Sequence, residues 1–330
     1  MTNWQEDRTI GGRVTVRDVL FDAERRLQAV RVPSPSVDAA EIVAFALGTP
    51  RNRLFLQDEM SADQRVRVEQ LLTRRLSRVP LQHLIGTAAF RYVELDVGPG
   101  VFIPRPETEL VAEAGIRELA EQAGPDRVAV DLCSGSGAIA ISLALEAEGS
   151  RVHAVELSDE AIEWTRRNVR HYDEALAAKG STLEVLHEDA TTVADPGGGL
   201  ARMAGTVAVV VANPPYIPEM MIPKEPEVRD HEPRMALYGG EDGLDVVRGV
   251  VRTAAILLKP GGLLVVEHAD VQGLAAGSAG VPGVVSGLVT DVELSTMIDI
   301  PAGRPVFTSV ADRIDLNGLP RFTLARRVGG

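Results

Sequence analysis

Val128-Ala129-Val130-Asp131-Leu132-Cys133-Ser134-Gly135-Ser136-Gly137-Ala138 is the stretch on which the fold turns. An apolar run broken only by Asp131 predicts a buried strand at 128–132, and the small residues after it feed a helix over 138–148. Glycine at 135 and 137 permits positive φ and lets a ligand lie against the free amides where a helix begins. Taken alone, Gly135-x-Gly137-x-x-Ala140 also satisfies the loose dinucleotide-binding fingerprint, and a tight turn with no ligand is the plainer alternative.

Working outward, short apolar or β-branched runs recur at 152–157, 183–187, 207–212 and 263–267, with a second helical stretch at 160–173. Strands alternating with helices imply an α/β domain, a mostly parallel sheet covered on both faces. Runs at 292–298 and 321–325 are expected to add edge strands, while 271–290, rich in Gly, Ala and Val, reads equally as a poor helix or a loop.

Upstream, residues 88–106 alternate loosely around Gly98-Pro99-Gly100 and predict a hairpin or extended connector. Before it the pattern is helical. Val16, Val19, Leu20, Ala23, Leu27 and Val30 follow the 3.6-residue period behind a capping box of Thr15 and Asp18. A run at 37–47 stops at Gly48 and Pro50; a third starts at Ser61, with Gln64 three residues on, and carries Val68, Leu71, Leu72 and Leu76. The expected division is a helical bundle at 1–87, a hairpin linker at 88–106 and an α/β domain at 107–330.

Composition agrees. With 330 residues, 45% hydrophobic and 25% charged, the chain can bury cores for two domains, and wholesale disorder is excluded. Residues 1–90 hold 13 Arg against 11 Asp and Glu, a net of +2, whereas 91–330 carry a net of −15. So acidic a body is a poor non-specific binder of nucleic acid, whose affinity comes largely from neutralised phosphates. The single cysteine, Cys133, excludes an intrachain disulfide, and six scattered histidines show no zinc spacing. The first fifteen residues lack the apolar run of a secretory signal, and the longest apolar stretch, 207–212, is too short to span a bilayer. A cytoplasmic protein, with no metal and no membrane partner, is expected.

Two further constellations carry chemistry. Glu156 ends the next strand about twenty residues after the glycine turn, where a carboxylate can accept hydrogen bonds from both hydroxyls of a ribose. Asn213-Pro214-Pro215-Tyr216 follows the very apolar run at 207–212. Its prolines forbid helix and stiffen the backbone, so the Asn213 side-chain oxygen and the Pro214 carbonyl become two acceptors facing one point, which suits an –NH2 group. Tyr216 offers an aromatic face to the planar group that bears it.

The segments DLCSGSGAIA, VELSDEAIEWTRRN, EDA, VANPPYIP and EHADVQG follow the order and spacing of the class I S-adenosylmethionine-dependent methyltransferases, which they resemble. The stretches at 80–86 (PLQHLIG) and 102–109 (FIPRPETE), with HEPRMAL at 231–237 and GGEDGL at 239–244, are similar to the PrmC/HemK family. Those enzymes are protein-(glutamine-N5) methyltransferases acting on class 1 peptide chain release factors. The resemblance implies a Rossmann-like, mostly parallel seven-stranded sheet, a substrate-recognising N-terminal bundle and a monomer with no direct nucleic-acid partner. It implies S-adenosylmethionine as cofactor and S-adenosylhomocysteine as product. Cys133, Ser134, Gly135, Ser136, Gly137, Glu156, Asp189, Ala190 and Asn213 would hold the cofactor. Asn213, Pro214, Pro215 and Tyr216, with Phe102, Arg105 and Pro106, would hold the substrate; Asn213, Pro214 and Tyr216 form the catalytic group.

Several positions depart from the family pattern. Cys133 stands where the family usually has glycine. Ala190 follows Asp189 where an aromatic residue is common, so adenine must pack more loosely or against another side chain. The family's closing pattern is similar to Asp315-Leu316-Asn317-Gly318-Leu319-Pro320-Arg321-Phe322, with a weaker echo from Asp299 to Phe307. Residues 214–233, with six prolines, read equally as a substrate-contacting lid or a stiff surface loop. His268 reads as a packed structural histidine, not a base. The rival readings are an amino methyltransferase for adenine in DNA or RNA, a nucleotide-dependent oxidoreductase that leaves the tetrapeptide idle, and a non-catalytic binding protein on the same fold.

Overall fold

The structure, a computed structural model, describes residues 14–273, 284–289 and 306–329. They form two compact units, one ending at Thr87 and including Pro223–His231, the other comprising Ala88–Ile222 and the chain from Glu232 onward.

The first unit is built on α1 (Val16–Ala29), α2 (Pro35–Leu47), α3 (Ala62–Leu76) and α4 (Leu81–Ile85). Reciprocal Thr15–Asp18 and Ser61–Gln64 hydrogen bonds cap α1 and α3, satisfying amides that helix starts leave unpaired. Helix α2 begins two residues before the predicted 37, because Pro35 is preorganised for a first turn, and it ends at Gly48 in the left-handed conformation. Leu27, Ile42, Val43, Val68 and Leu72 form the interior of the unit. The short helix Pro226–His231 joins this unit through Glu227, which takes Arg78 Nε and Nη2 at 2.8 and 2.7 Å and Arg75 Nη1 at 2.8 Å. Arg75 Nε in turn reaches the buried Asp38 at 2.6 Å. Burial pulls the Glu227 carboxyl upward, but the hydrogen bonds from Arg78 and Arg75 outweigh it and hold the group below the usual carboxylate range. Part of 214–233 is therefore a helix fixed by ion pairs.

The second unit opens with the hairpin β1 (Thr87–Phe90) and β2 (Val93–Asp96). Its tight turn falls at Arg91–Tyr92 and not at Gly98-Pro99-Gly100. The latter segment lies instead against α7 (Asp159–Ala178), where Trp164 Nε1 donates to the Pro99 carbonyl at 3.2 Å. A Cβ at position 98 would come within 2.6 Å of the Trp164 ring, so glycine is required there by close approach.

The sheet has seven strands in the order β5-β4-β3-β6-β7-β9-β8. These are β3 (Val128–Leu132), β4 (Arg151–Glu156), β5 (Thr182–His187), β6 (Val207–Ala212), β7 (Leu258–Glu267), β8 (Phe307–Ile314) and β9 (Pro320–Arg327). The first five are parallel, and β9 runs antiparallel between β7 and β8. Every residue of β3 and β6 is buried, as continuous apolar strands of a parallel sheet must be. Ala129 feeds the core under α5 (Thr108–Glu121), α6 (Ala138–Glu146) and α7. Val128, Val130 and Leu132 feed the opposite core under the helix Asp245–Leu257. Helices thus cover both faces.

Strand β7 starts five residues before the predicted 263, and β8 was not anticipated. The run at 292–298 lies outside the described residues, as does most of the echo from Asp299 to Phe307; of 271–290, residues 284–289 form a helix. Asp315 accepts the amide hydrogens of Asn317 and Leu319 at 2.8 and 3.0 Å and pairs with Arg321, which shapes the β8–β9 turn. His268 is buried, its Nε2 2.8 Å from Asp312 Oδ1.

Candidate active site

The turn between β3 and α6 has three residues with positive φ: Cys133 at 65°, Gly135 at 56° and Gly137 at 83°. Two are free to adopt it, whereas Cys133 carries a Cβ into the left-handed region. The turn is braced on all sides. The Gly135 amide donates to Glu156 Oε2 at 2.8 Å, Thr165 Oγ1 donates to the Gly135 carbonyl at 2.6 Å, and Asn168 Nδ2 donates to the Ser136 carbonyl at 2.9 Å. Beneath it, Asp131 Oδ2 accepts the Ala140 amide hydrogen at 3.0 Å, one of the unpaired donors of the first turn of α6, while Oδ1 has no partner among the described residues. Burial pushes the Asp131 carboxyl well above the carboxylate range, and burial beside Glu156, Asp131 and Asp189 pushes the Cys133 thiol up. Cys133 is therefore a neutral thiol.

At the end of β4, Glu156 Oε1 accepts from the Ser158 amide at 2.8 Å. Each carboxylate oxygen keeps a lone pair beyond its backbone bond. After β5, Asp189 Oδ1 accepts from the amide and hydroxyl of Thr191, at 2.8 and 2.7 Å.

Asn213 follows β6, and its Nδ2 donates to Thr108 Oγ1 at 3.3 Å. Thr108 Oγ1 donates to Glu267 Oε2 at 2.8 Å, and the Tyr216 hydroxyl donates to Glu267 Oε1 at 3.2 Å. Burial pushes the Glu267 carboxyl up to about 7, and burial beside Glu267 raises the Tyr216 phenol. The Pro-rich backbone is clamped by the segment 239–243: a Cβ on Gly239 would come within 2.5 Å of the Pro215 carbonyl, and one on Gly243 within 2.3 Å of that of Tyr216. This close approach accounts for the first and last glycines of the GGEDGL motif.

These elements enclose a cavity of about 470 Å³, well within the range of small-molecule pockets. Of the sequence-predicted residues, Phe102, Cys133, Ser134, Gly135, Ser136, Glu156, Asp189, Ala190, Asn213 and Pro215 line it. Gly137, Pro214, Tyr216, Arg105 and Pro106 do not. Gly137 caps α6, and Tyr216 packs beneath the site on Glu267. Arg105 holds Phe102 from behind, its guanidinium 4.8 Å from the ring centroid and 2.6 Å from buried Glu232. Sequence reasoning missed Thr108, Leu157, Met235, Tyr238 and Val246 in the lining. Thr108 and Met235 stand inside motifs quoted above; nothing marked Val246.

Residues 18–86 match the family described as the PrmC N-terminal domain, and residues 86–232 match the one described as Conserved hypothetical protein 95. A curated release factor glutamine methyltransferase of Streptomyces coelicolor is 43% identical over 92% of this chain and 95% of its own. The chain belongs to the release factor glutamine methyltransferases. A second member of the family, from Mycolicibacterium smegmatis, is 40% identical over 95% of this chain and 98% of its own. Among solved structures, the release factor-specific protein-(glutamine-N5) methyltransferase of Alicyclobacillus acidocaldarius matches with a TM-score of 0.34 and 21% identity, over 71% of this chain and 99% of that one. Among the described residues of this release factor glutamine methyltransferase, no helix is long and apolar enough to cross a membrane.

Proposed function

We propose that this chain transfers a methyl group from S-adenosylmethionine to the side-chain amide nitrogen, N5, of a glutamine in class 1 peptide chain release factors, in the cytoplasm. The observation that carries the reading is Asn213: it lines the cavity while its Nδ2 is committed to Thr108, which leaves Oδ1 as an acceptor. The identity of 43% with a curated relative supports the substrate.

The lining fits the cofactor. Gly135 and Ser134 line the cavity beside the start of α6, and the Glu156 carboxylate offers two acceptors for ribose hydroxyls. Leu157, half exposed beside Glu156, and Ile139 line the cavity with the small Ala190 and would supply apolar surface for adenine. When bound, the cofactor supplies an electrophilic methyl group. The protein supplies position and electrostatics.

A primary amide nitrogen is a weak nucleophile because its lone pair is delocalised into the carbonyl. Asn213 Oδ1 accepts one of its hydrogens, helps to fix its position and stabilises the positive charge that develops on it, while Pro214, the second acceptor expected from the sequence, lies outside the cavity lining. The proton leaves a nitrogen made strongly acidic, so no dedicated base is demanded. The N-terminal unit then serves to grip the release factor at a distance, and its binding energy holds one glutamine at Asn213. A short peptide bearing that glutamine should accordingly be methylated less efficiently than the intact factor.

The test is to offer labelled S-adenosylmethionine with purified release factor, tRNA, ribosomal RNA and duplex DNA in separate reactions. Label on the release factor supports the reading. Label on nucleic acid alone would make the chain an adenine amino methyltransferase.

A further inference from the structure

Thr108 and Glu267 stand 159 residues apart, yet their side chains meet at 2.8 Å and both are buried. A threonine hydroxyl has one hydrogen to give. Here it goes to Glu267 Oε2, so toward Asn213 the Thr108 oxygen can only accept. Asn213 must then turn its Nδ2 hydrogens to Thr108 and its Oδ1 away from it. The second carboxylate oxygen accepts from the Tyr216 phenol at 3.2 Å, so one buried carboxylate is tied to both ends of the Asn-Pro-Pro-Tyr segment.

We propose that Glu267 is a positioning residue: through Thr108 it selects which end of the Asn213 amide faces the nitrogen to be methylated. The proposal rests on the acceptor role of Asn213 in the proposed function. Glu267 does not line the cavity and so does not touch the reacting atoms. The charged and titratable groups that act on it are Arg321 on β9, Tyr216 and, more weakly, Glu107 ahead of α5; His268 beside it is engaged by Asp312.

The polarity of this relay depends on the charge of the carboxyl. Burial pushes Glu267 up to about 7, against the hydrogen bond of Thr108, the Arg321 charge and the hydrogen bond of Tyr216. Once protonated, the carboxyl can donate to Thr108, which is then free to donate to Asn213 and draw its Oδ1 inward. The substrate would face Nδ2 hydrogens instead of an acceptor. Turnover should therefore rise as pH climbs through about 7.

The test is single-turnover methylation of release factor across pH by the full-length protein and by Glu267→Gln, Thr108→Val and Thr108→Ser, each checked for its melting transition and for cofactor binding by calorimetry. The side-chain amide introduced by Glu267→Gln can donate a hydrogen to Thr108 and mimics the protonated state. We expect that variant and Thr108→Val to lose about a hundredfold in rate, with cofactor affinity unchanged and the limb near pH 7 gone, while Thr108→Ser keeps the rate and the limb. A second readout needs no turnover: the Asn213 side-chain amide resonance, identified by its loss in Asn213→Ala, should shift with a midpoint near pH 7 in the wild type and not in Thr108→Val. A folded Glu267→Gln that methylates release factor at the wild-type rate, or an Asn213 resonance indifferent to pH, would overturn the proposal. A wild-type protein that leaves release factor unlabelled would instead overturn the functional reading, and the resonance would still decide the relay.

Discussion

The Gly135 amide donates to Glu156 Oε2, with nitrogen and oxygen 2.8 Å apart, so the turn after β3 and the end of β4 are held as one piece. Glu156 thus shapes the turn, and in the proposed function it would also offer acceptors to a ribose. Glu156→Ala is predicted to raise the cofactor dissociation constant by roughly tenfold to a hundredfold, the worth of a charge-assisted hydrogen bond or two. Calorimetric titration reads it directly, and unchanged affinity would reduce Glu156 to a brace for the turn.

Cys133 sits at φ 65°, where a non-glycine residue costs about 1 kcal/mol or more. Glycine relieves that strain and offsets it in part by its greater freedom in the unfolded chain. Cys133→Gly should keep cofactor affinity and turnover, with a melting temperature equal to or above that of the wild type. A drop of several degrees would show that packing of the thiol outweighs the backbone strain.

Glu227 holds both Arg75 and Arg78, and removing it leaves two guanidiniums without their shared partner. Urea unfolding of Glu227→Ala should show a loss of about 2 kcal/mol, in the range of hydrogen bonds to charged groups. Because its carboxyl is held below the usual range, this contribution is present near neutral pH and fades as pH falls through its folded value. Equal stability of variant and wild type at pH 7 would make the pair structurally idle.

Glu267 gives the opposite slope. Its carboxyl is raised from 4.5 to about 7, so between those values the folded state keeps a proton that the unfolded chain has lost. Its contribution is fully present below the unfolded value and lost as pH rises through the folded one, on the order of 3 kcal/mol in all. Stability of the wild type should therefore fall, relative to Glu267→Gln, between about pH 4.5 and 7, as followed by denaturant unfolding. Parallel curves for the two proteins would contradict the buried, raised carboxyl.

What was legible in the sequence follows its physics. The strands at 128–132 and 207–212 appear with their predicted bounds because both faces are buried and no polar alternation blurs their ends. Thr15–Asp18 and Ser61–Gln64 were readable because a capping box is local. Strand β8 escaped because Phe307–Ile314 mixes apolar and polar residues without alternation and is largely exposed or half-buried, and its pairing with β9 supplies what its composition does not. The glycines at 98 and 100 look like a hairpin turn; they are glycines because α7 passes too close for a side chain. At the site, the tetrapeptide marks Asn213, which lines the cavity, but the hydroxyl that takes its Nδ2 comes from 105 residues away and the carboxylate behind it from the end of β7. No spacing rule links them.

Asn213→Ala should abolish methyl transfer while leaving cofactor affinity near that of the wild type. Losing one preorganised acceptor is worth on the order of 3 kcal/mol in the barrier, by analogy with removing an oxyanion-hole donor. Near-normal turnover would remove Asn213 from the reaction.

Release factor incubated with this protein and S-adenosylmethionine, then digested and mapped by fragmentation mass spectrometry, should carry a single added methyl on the side-chain nitrogen of one glutamine, absent when Asn213→Ala replaces the wild type. A methyl on any other side chain, on the main chain, or only on nucleic acid carried with the factor would contradict the account.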